Sequence, residues 1–380
     1  METTLERIRQ TLELEINNGQ EASIINVVNY LIELAHNIKA SDIHIDPQAE
    51  VVRIRLRVDG VLQDDKSLPK SIHSEVISRI KILAGLRTDE HQTAQDGRFK
   101  IQSQSGPIDI RVSIVPTYYG ENAVLRLLKD QNQEFSLDVL GFSKNDQEKI
   151  LRAIKYPYGM ILATGPTGSG KTTTLYTLLK LLNNPKTSII TIVDPIEYSL
   201  EGVNQIGVNA KTGLSFANGL RSMLRQDPNI IMVGEIRDQE TAGLAVNTAL
   251  TGHLMLSSIH TNDAVGALPR LIDLGIEPYL IASTVNIIIA QRLVRRMCQN
   301  CKSKEGCLAC NMTGYSGRVC INEVLEVNNT IREIIHRKGT AEEIKAEAKK
   351  QGMATMAEDG FAKVEVGITT TEEVLRTLHE

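Results

Sequence analysis

The sequence predicts an α/β protein of two domains, an α+β sandwich followed by a doubly wound parallel α/β domain. Three observations carry this. Residues 51–58 alternate Val, Ile, Leu and Val with Arg53, Arg55 and Arg57, the period of a half-exposed antiparallel strand. Further on, apolar runs at 160–163, 188–193, 230–233 and 254–259 alternate with helical segments, as strands buried on both faces do. Between the two patterns, residues 129–145 turn polar, beginning Lys-Asp-Gln-Asn-Gln-Glu. A length of 380 residues with 42% hydrophobic content suits two cores.

In chain order, an extension at 1–20 precedes an α+β, PAS-like domain over 21–130. Its first element is a helix at 21–40, where Ile24, Val27, Val28, Leu31, Ile32, Leu34 and Ala35 recur at helical spacing. The strand at 51–58 turns at Asp59-Gly60, a helix covers 72–86, and strands follow at 98–102, 108–114 and 122–128. A linker at 131–145 leads to the second domain, 146–380, which holds a four-cysteine knuckle at 297–321 and a helical region at 328–380.

Composition removes several function classes. A net charge of -4 gives no general attraction to nucleic acid or anionic lipid, and the absence of Trp leaves no stacking platform for bases, so no direct nucleic-acid binding is expected. The start lacks an apolar leader, and the greasiest stretch, 279–290, is broken by Ser283, Thr284 and Asn286 and is too short to span a bilayer. A cytoplasmic protein is expected.

Gly165-Pro166-Thr167-Gly168-Ser169-Gly170-Lys171-Thr172 fits G-x-x-x-x-G-K-[ST] and lies between a buried strand and a helix at 173–182. Glycines let successive backbone N–H groups face a phosphate, and the helix N-terminus, with Thr173 in its first turn, adds positive potential. Lys171 is expected to reach the β- and γ-phosphates of ATP, and Thr172 to offer its hydroxyl to Mg²⁺. Glu235 ends the apolar run 230–234, where a carboxylate meets the metal or its water; Glu197 follows another strand, where it could take the proton of an attacking water. His253 and His260 bracket a further strand, either as structural strand-end histidines or as groups that sense the γ-phosphate.

Cys298, Cys301, Cys307 and Cys310 form two C-x-x-C pairs within thirteen residues, a pattern expected to bind one tetrahedral Zn²⁺. Cys320 lies outside both pairs in an apolar strand at 319–324 and reads as a buried thiol.

With these residues in place, the chain resembles the ATPases that power type II secretion and type IV pilus assembly, from about residue 40 onward. Residues 165–172 look like the family's Walker A loop, Asp194-Pro195-Ile196-Glu197-Tyr198 resembles its Asp box, 224–238 its Walker B and 251–263 its His box. Ser41-Asp42-Ile43-His44-Ile45, Arg57-Val58-Asp59-Gly60, Gln95-Asp96-Gly97-Arg98 and Gly120-Glu121 are similar to its second N-terminal domain. The resemblance implies a RecA-like second domain and a homohexameric motor that hydrolyses ATP at the cytoplasmic face of the inner membrane. Its partners would be a membrane platform protein and other assembly components. It also implies that Arg111 and Arg126 approach the phosphates when the domains close. Retraction ATPases of the superfamily generally lack the cysteine pairs, which favours assembly or secretion, a competence DNA-uptake pilus included. A retraction motor and a nucleotide-gated scaffold with little turnover are the alternatives. Three departures stand out: Val193 occupies the place of a Glu usual before Asp-Pro, about forty residues precede Ser41, and only five separate the cysteine pairs, a gap usually longer in the family.

Overall fold

The computed structural model describes residues 10, 11, 14, 23–103, 106–128 and 136–379. Almost all of the expected extension and residues 131–135 of the expected linker lie outside them. The chain folds into two compact units, one drawn from 1–132 with 298–317, the other from 133–297 with 318–380.

The first unit is a seven-stranded antiparallel sheet. Its strands are β1 (Ala40–Pro47), β2 (Val51–Val58), β3 (Val61–Asp64), β4 (Leu68–Pro69), β5 (Gln95–Ser103), β6 (Gly106–Thr117) and β7 (Gly120–Leu128), in the order β3-β2-β1-β7-β6-β5 with β4 against β2. Period-two alternation sends Ile43, Ile45, Val52, Ile54, Leu56, Ile110, Val112, Ile114, Ala123 and Leu125 into one core with helices Ile24–Asn37 and His73–Ala84. The opposite face is a lattice of ion pairs, including Arg55–Asp46 at 2.7 Å and Arg126–Asp42 at 2.9 Å. β1 carries the alternation of β2 in shorter form, with Ile43 and Ile45 in the core between Asp42, His44 and Asp46.

The second unit has a seven-stranded sheet in the order β10-β9-β11-β12-β8-β13-β14. The strands are β8 (Gly159–Thr164), β9 (Ile189–Val193), β10 (Asn204–Gly207), β11 (Ile230–Val233), β12 (Leu254–Ile259), β13 (Val285–Met297) and β14 (Tyr315–Glu326). β8 to β13 pair in parallel. Successive residues of each strand enter two cores. Ile161, Ala163, Ile230, Met232, Leu254 and Leu256 pack with Leu175, Leu178 and Leu179 of helix Lys171–Leu182, whereas Met160, Leu162, Ile231, Val233 and Met255 pack with Ala242, Ala245 and Val246 of helix Gln239–Leu250. Burial on both sides explains why these strands read as unbroken apolar runs. The greasy stretch at 279–290 divides into helix Pro278–Thr284 and the start of β13. Among the described residues no helix is long and apolar enough to cross a membrane.

The mixed α/β architecture expected from the sequence is the one observed. Segment 298–317, which runs from the end of β13 into the first residues of β14, belongs in space to the first unit, where the Gly317 N–H donates to Asp59 Oδ2 at 2.8 Å.

Candidate active site

Parallel strands present their carboxyl ends together, and four of these ends carry the residues singled out above. β8 runs into the 165–172 loop, β11 into Glu235, β12 into His260, and β9 into the segment holding Glu197. The loop is locked from the neighbouring strand β13. Gln291 is buried, and its side-chain Nε2 donates to Ser169 O at 2.9 Å. Its backbone oxygen lies 2.4 Å from where a Cβ on Gly165 would stand, and Gly165 has φ +141°. Glycine is required there by both space and backbone conformation.

The Lys171 amine folds back onto the loop, donating to Gly165 O and Pro166 O at 2.8 Å each. Burial lowers its pKa to about 8, against the raising effect of Glu235. Among the described residues no carboxylate forms an ion pair with it. Ser169 Oγ of the loop and Oε1 of Gln291, which packs against it, are buried without hydrogen-bond partners. A loop with an uncompensated ammonium, unsatisfied polar atoms and a helix N-terminus fits the polyphosphate of a nucleotide. Thr172 and Thr173 stand in the first turn of that helix, with Thr172 exposed, as a magnesium-binding hydroxyl must be.

Glu235 is held from two sides. Arg237 Nε lies 2.7 Å and His260 Nε2 3.2 Å from its Oε2. The Ser257 and Ser258 hydroxyls donate to Val233 O and Gly234 O, which aligns β11 with β12 at this end. One residue beyond His260, the Thr261 N–H donates to Thr164 Oγ1 at 3.0 Å, and the two hydroxyls are 2.6 Å apart. The His box is thereby fastened to the residue preceding the phosphate loop.

Lys171, Glu235 and His260 are thus brought together. Glu197 is exposed, and its segment leaves β9 three strands from β8, roughly 14 Å across the sheet. It neighbours Tyr176, whose hydroxyl is pushed up to about 12 by burial and then by the charges of Tyr198 and Glu197. Val193 is buried in the core at the end of β9. His253 stands at the amino end of β12, with its Nδ1 3.2 Å from Thr248 O, so the strand carries it away from the loop. In the first unit Arg111 and Arg126 are cross-strand partners on the polar face, Arg126 donating to Asp42. Arg237, Gln291 and the Thr164–Thr261 pair were not singled out from the sequence; Arg237 was legible as a cation two residues past the Walker B Glu, whereas Gln291 had no local signal.

The four cysteines converge as their spacing predicted. Their Sγ atoms all lie within 4.8 Å of one another, with Cys298–Cys307 at 3.9 Å, Cys301–Cys310 at 4.0 Å and Cys307–Cys310 at 3.8 Å. Tetrahedral ligation with metal–sulfur bonds of about 2.3 Å requires sulfur separations of about 3.8 Å. The short five-residue gap therefore still closes the site. The Cys307 N–H donates to Cys310 Sγ at 3.1 Å, a bond that favours thiolate over thiol.

A glycine loop joining β8 to a helix, with a Walker B carboxylate two strands away, defines a P-loop nucleotide-binding protein. Within that class the chain belongs to the Type II/IV secretion system protein family, which it matches over residues 17–376. It is 46% identical over 366 residues to type II secretion system protein HxcR of Pseudomonas aeruginosa, covering 94% of this chain and 78% of that protein. Over 388 residues it is 45% identical to type II secretion system protein E of Xanthomonas campestris pv. campestris, covering 95% and 68%. With the type IV pilus assembly ATPase PilB of Myxococcus xanthus it shares 43% identity over 385 residues, covering 94% and 68%. Among solved structures, the pilus retraction motor PilT with bound ADP is 28% identical with a TM-score of 0.64, covering 91% of this chain and 95% of that one. The Legionella pneumophila ATPase DotB, at 23% identity and TM-score 0.71 over 92% and 94% of the two chains, shares the fold.

Proposed function

We propose that this chain is an ATP-hydrolysing motor for type II secretion or type IV pilus assembly, working as a homohexamer at the cytoplasmic face of the membrane beside a platform protein. The observation that carries the reading is the pairing of Glu235 with His260 at the carboxyl end of one parallel sheet, within electrostatic reach of Lys171 and beside a loop that fits a polyphosphate. The names of the secretion and pilus assembly relatives, at 43–46% identity, support assembly or secretion over retraction, for which PilT at 28% speaks only weakly.

In the proposed reaction, water attacks the γ-phosphate in line with the departing ADP. Lys171 leaves its two loop carbonyls for the phosphate oxygens and lowers the cost of their developing charge. Glu235, steadied by Arg237 and His260, and the Thr172 hydroxyl would hold Mg²⁺, which when bound neutralises the β- and γ-oxygens. His260 reads the γ-phosphate through Glu235. Glu197 accepts the proton of the attacking water, its exposed segment closing over the nucleotide. Arg111 and Arg126 add positive charge in the assembled ring, and for Arg126 this means exchanging Asp42 for phosphate. The cysteine knuckle binds one Zn²⁺ per chain; elemental analysis of protein purified without added metal checks this, and a zinc content near zero contradicts it.

The hydrolysis test is a single-turnover assay across protein concentration. Specific activity should rise as rings form, and Arg126→Ala should lower turnover far more than ATP affinity. ATP that is bound but never cleaved at any concentration would make the chain a nucleotide-gated scaffold, a reading for which Val193 is the one feature.

A further inference from the structure

Glu323 lies in the middle of β14, 4% exposed, in a strand whose neighbours are almost all apolar. Among the described residues no cation forms an ion pair with it; burial raises its pKa above the ordinary value, and the backbone hydrogen bonds it accepts are the largest effects opposing that rise. Both oxygens are used, and both accept backbone N–H groups from distant parts of the second unit. Oε2 accepts Ala264 N at 3.2 Å, and Oε1 accepts Met356 N at 3.1 Å. Ala264 follows the His box directly; Met356 is the first residue of helix Met356–Glu365.

The consequence follows from what else is fixed. Thr261 is bonded to Thr164 beside the phosphate loop, and His260 to Glu235. Asp263 caps the next turn, its Oδ1 accepting from Gly266 N at 2.7 Å. The His box is therefore anchored at its front to the nucleotide loop and at its back to Glu323. Helix Met356–Glu365 is itself clasped to β14, since Asp359 Oδ2 accepts Asn322 N at 2.9 Å and Lys363 Nζ donates to Cys320 O at 2.8 Å.

We propose that Glu323 is a positioning residue for hydrolysis, setting the His box through Ala264 and linking it to the C-terminal helices through Met356. The proposal rests on the reading of the 165–172 loop as an ATP site. A shift of His260 and Thr261 on loss of the γ-phosphate would be passed to helix Met356–Glu365 by one rigid carboxylate, giving the C-terminal helices a direct record of nucleotide state.

The test uses the full chain. Glu323→Gln keeps the shape but turns an NH₂ group toward one of the two N–H donors, so one anchor is lost. It should lower kcat by about tenfold to a hundredfold and leave KM within about threefold, as misplacement of a transition-state contact does. Glu323→Asp keeps the charge, withdraws the carboxylate by one methylene, and should show a smaller loss of the same kind. Asp146→Asn is the matched control, a buried carboxylate that bonds β14 through Asn322 without touching the His box, and should keep turnover within about twofold. If the folded Glu323 variants turn over like wild type, or if kcat and 1/KM fall together, the proposal is wrong. Hydrogen exchange on the wild-type chain needs no variant: adding ATP with magnesium should change protection of the Ala264 and Met356 amides together, and a change at Ala264 alone also overturns it. Absence of any protection at 165–172 on adding ATP would instead overturn the ATP site itself.

Discussion

His253 and His260 flank one six-residue strand, about 23 Å apart along its extended backbone, and share little else. At the carboxyl end of β12, His260 contacts Glu235 and its neighbour Thr261 contacts the residue before the phosphate loop. At the amino end, His253 bonds the last turn of helix Gln239–Leu250 through Thr248 O, and its own carbonyl accepts the Gly159 N–H. The difference shows that a motif written as one continuous segment is divided by its strand into a part that meets the 165–172 loop's end of the sheet and a part that closes the opposite end. The carboxyl end of the sheet also holds the unsatisfied Ser169 Oγ and the Lys171 ammonium, whereas at the amino end Asn286 bonds Tyr158 O and Arg332.

Variants at the carboxyl end should be the damaging ones. The largest effect is expected for Gly165→Val, whose side chain would collide with the Gln291 carbonyl and put a β-branched residue at a φ of +141°, which L side chains rarely adopt; nucleotide binding should be abolished in an equilibrium binding assay with a fluorescent ATP analogue. Glu197→Gln comes next, with turnover down about 10²-fold and ATP retained, measured in single-turnover conditions; near-normal turnover would give the base to another residue. His260→Ala should cost about tenfold in kcat with little change in KM, while His253→Ala should stay within about twofold. Equal losses from the two histidines would erase the comparison.

A smaller effect sharpens it by pH. Burial lowers the free Lys171 amine to about 8, so at pH 9 most of it is neutral before ATP arrives. Phosphate oxygens favour the charged form and raise its pKa, so binding at pH 9 should take up most of one proton, and affinity should fall as pH rises above about 8. Calorimetry in buffers of different ionisation enthalpy reads the uptake directly, and Lys171→Ala should remove it.

Much of this was legible in the sequence. The apolar runs at 230–233 and 254–259 coincide with β11 and β12, and the phosphate loop lies between strand and helix as its pattern requires. What stayed hidden is nonlocal. Gln291 meets Ser169 across 122 residues, and Glu323 joins segments 59 and 33 residues away, so neither leaves a local pattern. β13 was obscured because helix Pro278–Thr284 runs directly into it, with no loop residue between Thr284 and Val285. The division between His253 and His260 was unreadable for a simpler reason: strand direction relative to the loop is a property of the sheet, which only the pairing of β12 with β8 reveals.

The central claim is that ATP is hydrolysed at the carboxyl end of the second unit's sheet, with Lys171 on the phosphates. Its most direct test is phosphate release by the purified chain and by Lys171→Ala, both assembled and at saturating ATP with magnesium. The account predicts steady release by the wild type and loss of at least about 10³-fold in the variant. A wild type that releases no phosphate, or a Lys171→Ala chain that releases it at the wild-type rate, would contradict it.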